Sequence, residues 1–248
     1  MVYHYRHRKK RKINKRVIIM IISLFVLAGL AYLFFYSPAF NIKKMEIFGN
    51  KEIKSEEIQN ILSYANIFLT SSQEIKKDLL KMIPKIASLE IKKNIFKREL
   101  EISLTEREDI GIICNGDSNQ CYYIDEEGII FENAPQTSGS LIILIKDYSQ
   151  RDIKLGDKIF TAEFFKLISE IKDEMANMNL KVLNFDSMNF PIQDVKVMTN
   201  ERWYAFFNFK NNIKSQLSAL KVALKEKIKN RAGLEYIDLR IENRVYYK

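Results

Sequence analysis

Cys114 and Cys121 are the pair of residues whose type and spacing most directly suggest covalent or soft-ligand chemistry. The residues between them read Asn-Gly-Asp-Ser-Asn-Gln, which is turn chemistry, so the cysteines stand opposite each other on two strands of a hairpin. Opposed positions lie ~4.5–5.5 Å apart, inside the ~4.4–6.8 Å that a disulfide spans, and a local structural bridge is expected. Two free thiols are the alternative. A two-cysteine metal site lacks further soft ligands. Both histidines, His4 and His7, lie in the N-terminal tail, so nothing after it can assemble a Ser-His-Asp, Cys-His or histidine-metal constellation. Gly49, Gly111, Gly116, Gly128, Gly139, Gly156 and Gly233 are isolated, which removes phosphate-loop and dinucleotide motifs. Serines and lysines are plentiful, but no feature selects a catalytic pair, and Asp125-Glu126-Glu127 reads as a solvated turn. The expectation is a protein without catalytic residues, metal or cofactor.

A formal net charge of +9 over 248 residues suggests nucleic acid until the charge is located. Arg6, Arg8, Lys9, Lys10, Arg11, Lys12, Lys15 and Arg16 put eight cations and no acid in residues 1–16. Everything after Tyr36 carries 32 basic against 31 acidic residues. A basic groove for phosphates has no support outside the tail, and no nucleic acid is expected.

Residues 17–36, VIIMIISLFVLAGLAYLFFY, contain no charge. At ~1.5 Å per residue a helix of this length covers the roughly 30 Å hydrocarbon layer. The cations before it and the sparse Lys43 and Lys44 after it predict a single pass through the plasma membrane, N-terminus cytoplasmic and the remainder exported. A signal peptide cut near Ser37-Pro38-Ala39 is the rival reading, opposed by the length of the run and by bulky Phe34, Phe35 and Tyr36.

Beyond the membrane the periodicity gives strand, helix, helix, strand, strand over residues 40–108. Met45 and Ile47 alternate with charges. Ser55 is placed to cap a helix carrying Ile58, Ile61 and Leu62. Ser71 and Glu74 have capping-box spacing ahead of Ile75, Leu79 and Ile83. Ala87, Leu89, Ile91 and then Leu100, Ile102, Leu104 alternate with polar residues. Residues 109–248 read as hairpins up to Phe131, a buried strand at Leu141–Ile145 and a helix capped by Thr161. Strands at Val182–Phe185, Val195–Met198 and Trp203–Phe209 follow, then a helix from Ile213 to Ile228. From Tyr236 to Lys248, Ile237, Leu239 and Ile241 alternate with Asp238, Arg240 and Glu242, which predicts one final strand. The fold class is α+β: one transmembrane helix, a β-α-α-β-β domain, and a mixed β domain with two helices and a C-terminal strand.

This ordered set resembles the FtsQ/DivIB family of bacterial cell-division proteins. The resemblance rests on Ile42-Lys43-Lys44-Met45-Glu46-Ile47-Phe48-Gly49-Asn50, Leu100-Glu101-Ile102-Ser103-Leu104-Thr105-Glu106-Arg107, Tyr123-Ile124-Asp125-Glu126-Glu127-Gly128-Ile129-Ile130-Phe131 and Tyr236-Ile237-Asp238-Leu239-Arg240. It implies a POTRA domain over 40–108 and a division scaffold rather than an enzyme. The implied partners are FtsB- and FtsL-type membrane-anchored coiled-coil proteins at the septum, with other division proteins on the POTRA domain. Ile95-Phe96-Lys97-Arg98 departs from the family's Trp-Pro-like element. The family pattern puts partner binding at Tyr236, Leu239, Arg240 and Ile241 with neighbouring Arg202 and Trp203. There a partner strand adds to the sheet edge, an arginine meets a carboxylate, and Leu239 or Ile241 packs on apolar residues. Burial of Trp203, Leu239 and Ile241 in the core is the competing expectation. A POTRA-containing envelope assembly or secretion factor and a membrane-tethered sensor are the alternatives in function.

Overall fold

A computed structural model of the chain describes residues 15–63, 65–116, 120–187 and 193–248. Most of the basic tail, including both histidines, and the centre of the Cys114–Cys121 loop lie outside the described residues. The chain divides into two compact units, Met1–Lys77 with Leu89–Ser103, and Asp78–Ser88 with Leu104–Lys248.

In the first unit α1, Lys15–Tyr36, buries none of its residues, which suits an apolar helix meant for lipid. A short 3₁₀ turn, Pro38–Phe40, leads to β1, Lys44–Phe48. Next come α2, Ser55–Leu62, and α3, Ser72–Met82, ahead of β2, Ile86–Asn94, and β3, Glu99–Glu106. The three strands form one sheet in the order β1-β3-β2. β1 runs parallel to β3, from Lys44 opposite Glu99 to Phe48 opposite Ser103. The expected capping box exists: Glu74 N–H donates to Ser71 Oγ at 3.1 Å, and Ser71 N–H to Glu74 Oε2 at 2.8 Å. Ser55, however, is the first residue of α2 and Lys54 is its cap. The Ser55 hydroxyl instead accepts from Asn50 Nδ2 at 3.3 Å.

The second unit holds a nine-stranded sheet. Its strands are β4 Gly111–Asn115, β5 Cys121–Ile124, β6 Ile130–Ala134, β7 Ile143–Asp147, β8 Val182–Ser187, β9 Asp194–Thr199, β10 Tyr204–Asn208, β11 Tyr236–Asp238 and β12 Tyr246–Tyr247. Their spatial order is β12-β11-β10-β9-β8-β7-β4-β5-β6. Parallel neighbours need a crossover, and two of these are helical. α4, Ala162–Asn177, joins β7 to β8, and α5, Ile213–Val222, joins β10 to β11. Thr161 Oγ1 accepts from Phe164 N–H at 3.3 Å, the cap its sequence position promises. α4 and α5 lie over one face of the sheet, where Ile168, Ile171, Met175, Phe185, Val197, Trp203, Phe207 and Leu220 form the main core. Period two sends their neighbours to the other face, where Ile112, Cys114, Cys121 and Leu144 make a smaller cluster.

Two expectations change. β7 starts at Ile143, and Leu141 is 99% exposed, so the apolar run exceeds the strand. Residues 236–248 form two strands rather than one. Asn243 adopts φ 59° and Arg244 N–H donates to Ile241 O at 3.2 Å, so the chain reverses there. Asn tolerates that left-handed conformation better than most residues.

Gly128 has no substitute at its site. Its φ is +82°, and a Cβ would stand 2.1 Å from the Phe160 carbonyl oxygen.

Candidate functional site

The sheet ends at β12, and its geometry decides what that edge offers. Tyr236 and Lys248 exchange both backbone bonds, with Lys248 N–H to Tyr236 O at 3.2 Å and Tyr236 N–H to Lys248 O at 3.3 Å. The next opposed pair is Ile237 with Tyr247. Antiparallel ladders alternate bonded and non-bonded pairs, so the Tyr247 N–H and C=O face away from β11, toward the open side. Among the described residues no strand lies beyond β12. The opposite edge, β6, is partly occupied: Ile130 bonds with Gly156 and Asp157, and Ile129 bridges Lys158. An apolar groove lined by Ala219, Val222, Ala223, Val245 and Tyr247 runs beside β12.

Registers place one residue from every strand in a line across the sheet: Ala134, Cys121, Cys114, Lys146, Asp186, Lys196, Phe206, Asp238 and Tyr246. Cys114 and Cys121 are joined by a disulfide. Lys196 Nζ stands 3.6 Å from the Tyr204 ring centroid, and the Arg240 guanidinium 5.1 Å from that of Phe206. Burial pushes the Asp186 carboxyl up, partly offset by Lys196, Lys146 and the Asn184 amide. Hydrogen bonds from Arg240 hold Asp238 below the usual carboxylate range, and the same bonds raise Arg240.

The residues expected to bind a partner separate on this scaffold. Trp203 is fully buried, its Nε1–H donating to Glu201 Oε2 at 2.9 Å, and Leu239 is buried too. Both belong to the core, because period two turns them to the face under α4 and α5. Tyr236 is half-buried in β11, with β10 on one side and β12 on the other. The edge expected along Tyr236–Ile241 is therefore displaced to β12. Ile241 is 52% exposed in the reversing turn. Arg240 is engaged within the chain by Asp238 and by Asp194 at 3.2 Å. Arg202 is exposed at the tip of the β9–β10 hairpin with φ 70°, two residues before Tyr204, which pairs with Tyr236. Arg240 lies beyond the other end of β11, so the two arginines do not converge. Sequence reasoning missed Val245, Tyr246 and Tyr247. The signal was available: a turn-prone Asn243 followed by three β-formers.

Comparison with known proteins agrees with this architecture. Residues 40–107 match the POTRA domain, FtsQ-type. Cell division protein DivIB of Clostridium tetani is 27% identical over 67% of this chain and 65% of its own. DivIB of Clostridium botulinum is 29% identical over 71% of this chain and 63% of its own. DivIB of Bacillus cytotoxicus is 33% identical over 43% of this chain and 42% of its own. The chain thus spans less than two thirds of the length of these curated relatives. An FtsQ-type POTRA domain after an apolar N-terminal helix, a β-rich region behind it and similarity to several DivIB proteins together support a relationship of this chain to the FtsQ/DivIB family.

Proposed function

We propose that the protein is a bitopic membrane scaffold of bacterial cell division, with residues 1–16 cytoplasmic, residues 17–36 in the plasma membrane, a POTRA domain over 40–108 and a β domain over 109–248 outside. Eight cations ahead of α1 support that orientation. The division role follows from the DivIB relatives. In this reading the β domain docks FtsB- or FtsL-type partners and helps control septal peptidoglycan synthesis, while the POTRA domain meets other division proteins. No catalytic step is assigned to it.

The observation that carries the docking mode is the outward Tyr247 N–H and C=O on the open edge of a nine-stranded sheet. An added strand gains ~0.5–1.5 kcal/mol per hydrogen bond, which so short an edge cannot raise above the cost of association. The groove beside Val245 and Tyr247, with exposed Ile241 and Arg202, supplies side-chain anchors. Tethering both partners to one bilayer raises their effective concentration, so weak affinity in solution suffices.

A fluorescent fusion should form a midcell band, and a uniform envelope signal would reject the division role. Tyr247→Pro removes the outward donor and should abolish co-purification of the partner. Retained capture by that variant would exclude strand addition at β12.

A further inference from the structure

We propose that the β2–β3 tip and the α2–α3 loop form a second membrane-binding surface, which seats the first unit on an anionic phospholipid leaflet beside α1. This rests on α1 being the membrane anchor.

The tip is Asn94-Ile95-Phe96-Lys97-Arg98. Four residues, 95–98, separate β2 from β3, far too few for a parallel crossover, so the strands turn back as a hairpin. Phe96 is 100% exposed at its end, and Ile95 is also exposed. Lys92, Lys93, Lys97 and Arg98 surround them; residues 91–98 contain no carboxylate, and Lys92 pairs at the surface with Glu101 of β3 at 3.2 Å. Single exposed apolar residues are ordinary, but here several converge.

Hydrogen bonds and ring contacts fix that convergence inside the first unit. Lys43 N–H donates to Arg98 O at 2.9 Å, which puts the tip beside the chain just after it leaves α1. Lys93 Nζ donates to Thr70 O at 2.6 Å, which ties the hairpin to the α2–α3 loop. That loop returns to the membrane helix: Asn66 Nδ2 donates to Phe34 O at 3.1 Å, and the Phe68 ring lies 5.3 Å from that of Phe34 and 5.5 Å from that of Phe40. Phe68 and Leu69 remain partly exposed at this end. Three segments therefore gather apolar side chains and cations around the last turn of a helix built to cross lipid.

Aromatic rings beside lysines and arginines match the headgroup layer, where rings take up the acyl boundary and cations meet anionic lipid. The continuity with α1 selects the bilayer as occupant over a soluble partner.

The test uses the full chain reconstituted into vesicles whose lipid carries brominated acyl chains, either phosphatidylglycerol or phosphatidylcholine. The chain's one tryptophan, Trp203, is fully buried and supplies a constant background. A Phe96→Trp variant should add emission that is blue-shifted and mostly quenched in phosphatidylglycerol, and much less so in phosphatidylcholine. In the same background, Lys92 and Lys97 changed together to Gln, which leaves the Lys93–Thr70 tie in place, should restore most of that emission. Co-flotation with vesicles but a water-like, unquenched signal in both lipids overturns the proposal alone and returns Phe96 to a protein partner. Equal quenching in both lipids overturns the anionic leaflet as the target. Failure to co-float removes the anchor, and this proposal with it.

Discussion

Arg240 and Asp238 meet fork to fork across one intervening residue, with Nε to Oδ1 at 2.9 Å and Nη2 to Oδ2 at 2.6 Å. The arginine also reaches Asp194 on β9, so its charge braces the sheet end from within. Arg240→Ala should destabilise the second unit by about 1 kcal/mol, the side chains being partly exposed, and Arg240→Lys by less. Denaturant unfolding with amide exchange over residues 236–248 measures this. Unchanged protection there would show that the brace is idle. Loss of partner capture by Arg240→Ala accompanied by faster exchange would mark Arg240 as a positioning residue for the hairpin.

Acid should act on the same brace. Asp238 has a native value below its ordinary 3.8, so its contribution is complete above 3.8 and lost as pH falls through the depressed native value. Exchange of the β11 and β12 amides should accelerate in that acid range ahead of those in β8 and β9. Simultaneous loss of all four strands would refute the assignment.

Asp186 works in the opposite sense. Its native value is raised by burial, so above that value the folded state holds a charge it disfavours, and stability recovers as pH falls from there toward 3.8. Asp186→Asn should leave the melting temperature at neutral pH unchanged or higher, and should flatten the gain on acidification. A large drop at neutral pH would mean that Lys146 and Lys196 outweigh desolvation.

Arg107 is paired with Asp125 where both side chains are largely buried, and its Nε–H also donates to Pro84 O at 3.0 Å. Asp125 Oδ1 meanwhile accepts from Ile129 N–H at 2.8 Å and Glu127 N–H at 3.1 Å. Arg107→Ala strands the carboxylate and should cost about 3–5 kcal/mol. Asp125→Asn keeps an acceptor for both amides and should cost less. Equal penalties in chemical denaturation would contradict this division of roles.

The disulfide between Cys114 and Cys121 closes a short loop, so replacing both cysteines by Ala should lower stability by about 2–3 kcal/mol. The β4–β5 ladder from Gly111 opposite Ile124 remains to hold the fold. Circular dichroism should be unchanged while the unfolding midpoint drops. Alkylation with and without reductant, read by mass, checks the bridge in the wild type.

Elements whose period and caps agree were legible from residue types alone. Ser71 with Glu74, Thr161 with Phe164, and the alternation of Leu100, Ile102 and Leu104 show local chemistry and burial asking for one structure. Pairing order was not legible. Nothing in Ile143-Leu144-Ile145 says that β7 sits between β4 and β8, because a run buried on both faces carries no partner information. The residues expected to dock a partner separate for a related reason. Ile237, Leu239 and Ile241 share a period, but the reversal at Asn243 separates buried Leu239 from exposed Ile241 and supplies a further strand. Alternation tells which face a residue takes, and is silent on which strand is outermost.

The parallel pairing of β10 with β11 has a temporal corollary. Those strands become neighbours only after the intervening α5 crossover has been made and packed, and long-range pairings of this kind form slowly. Because β12 pairs only with β11 among the described residues, the outward Tyr247 edge forms after that crossover and not with the hairpins that precede it. On the proposed docking mode, a visiting strand would find its seat only once α5 has packed, so assembly of the receptor edge would lag behind the rest of the sheet.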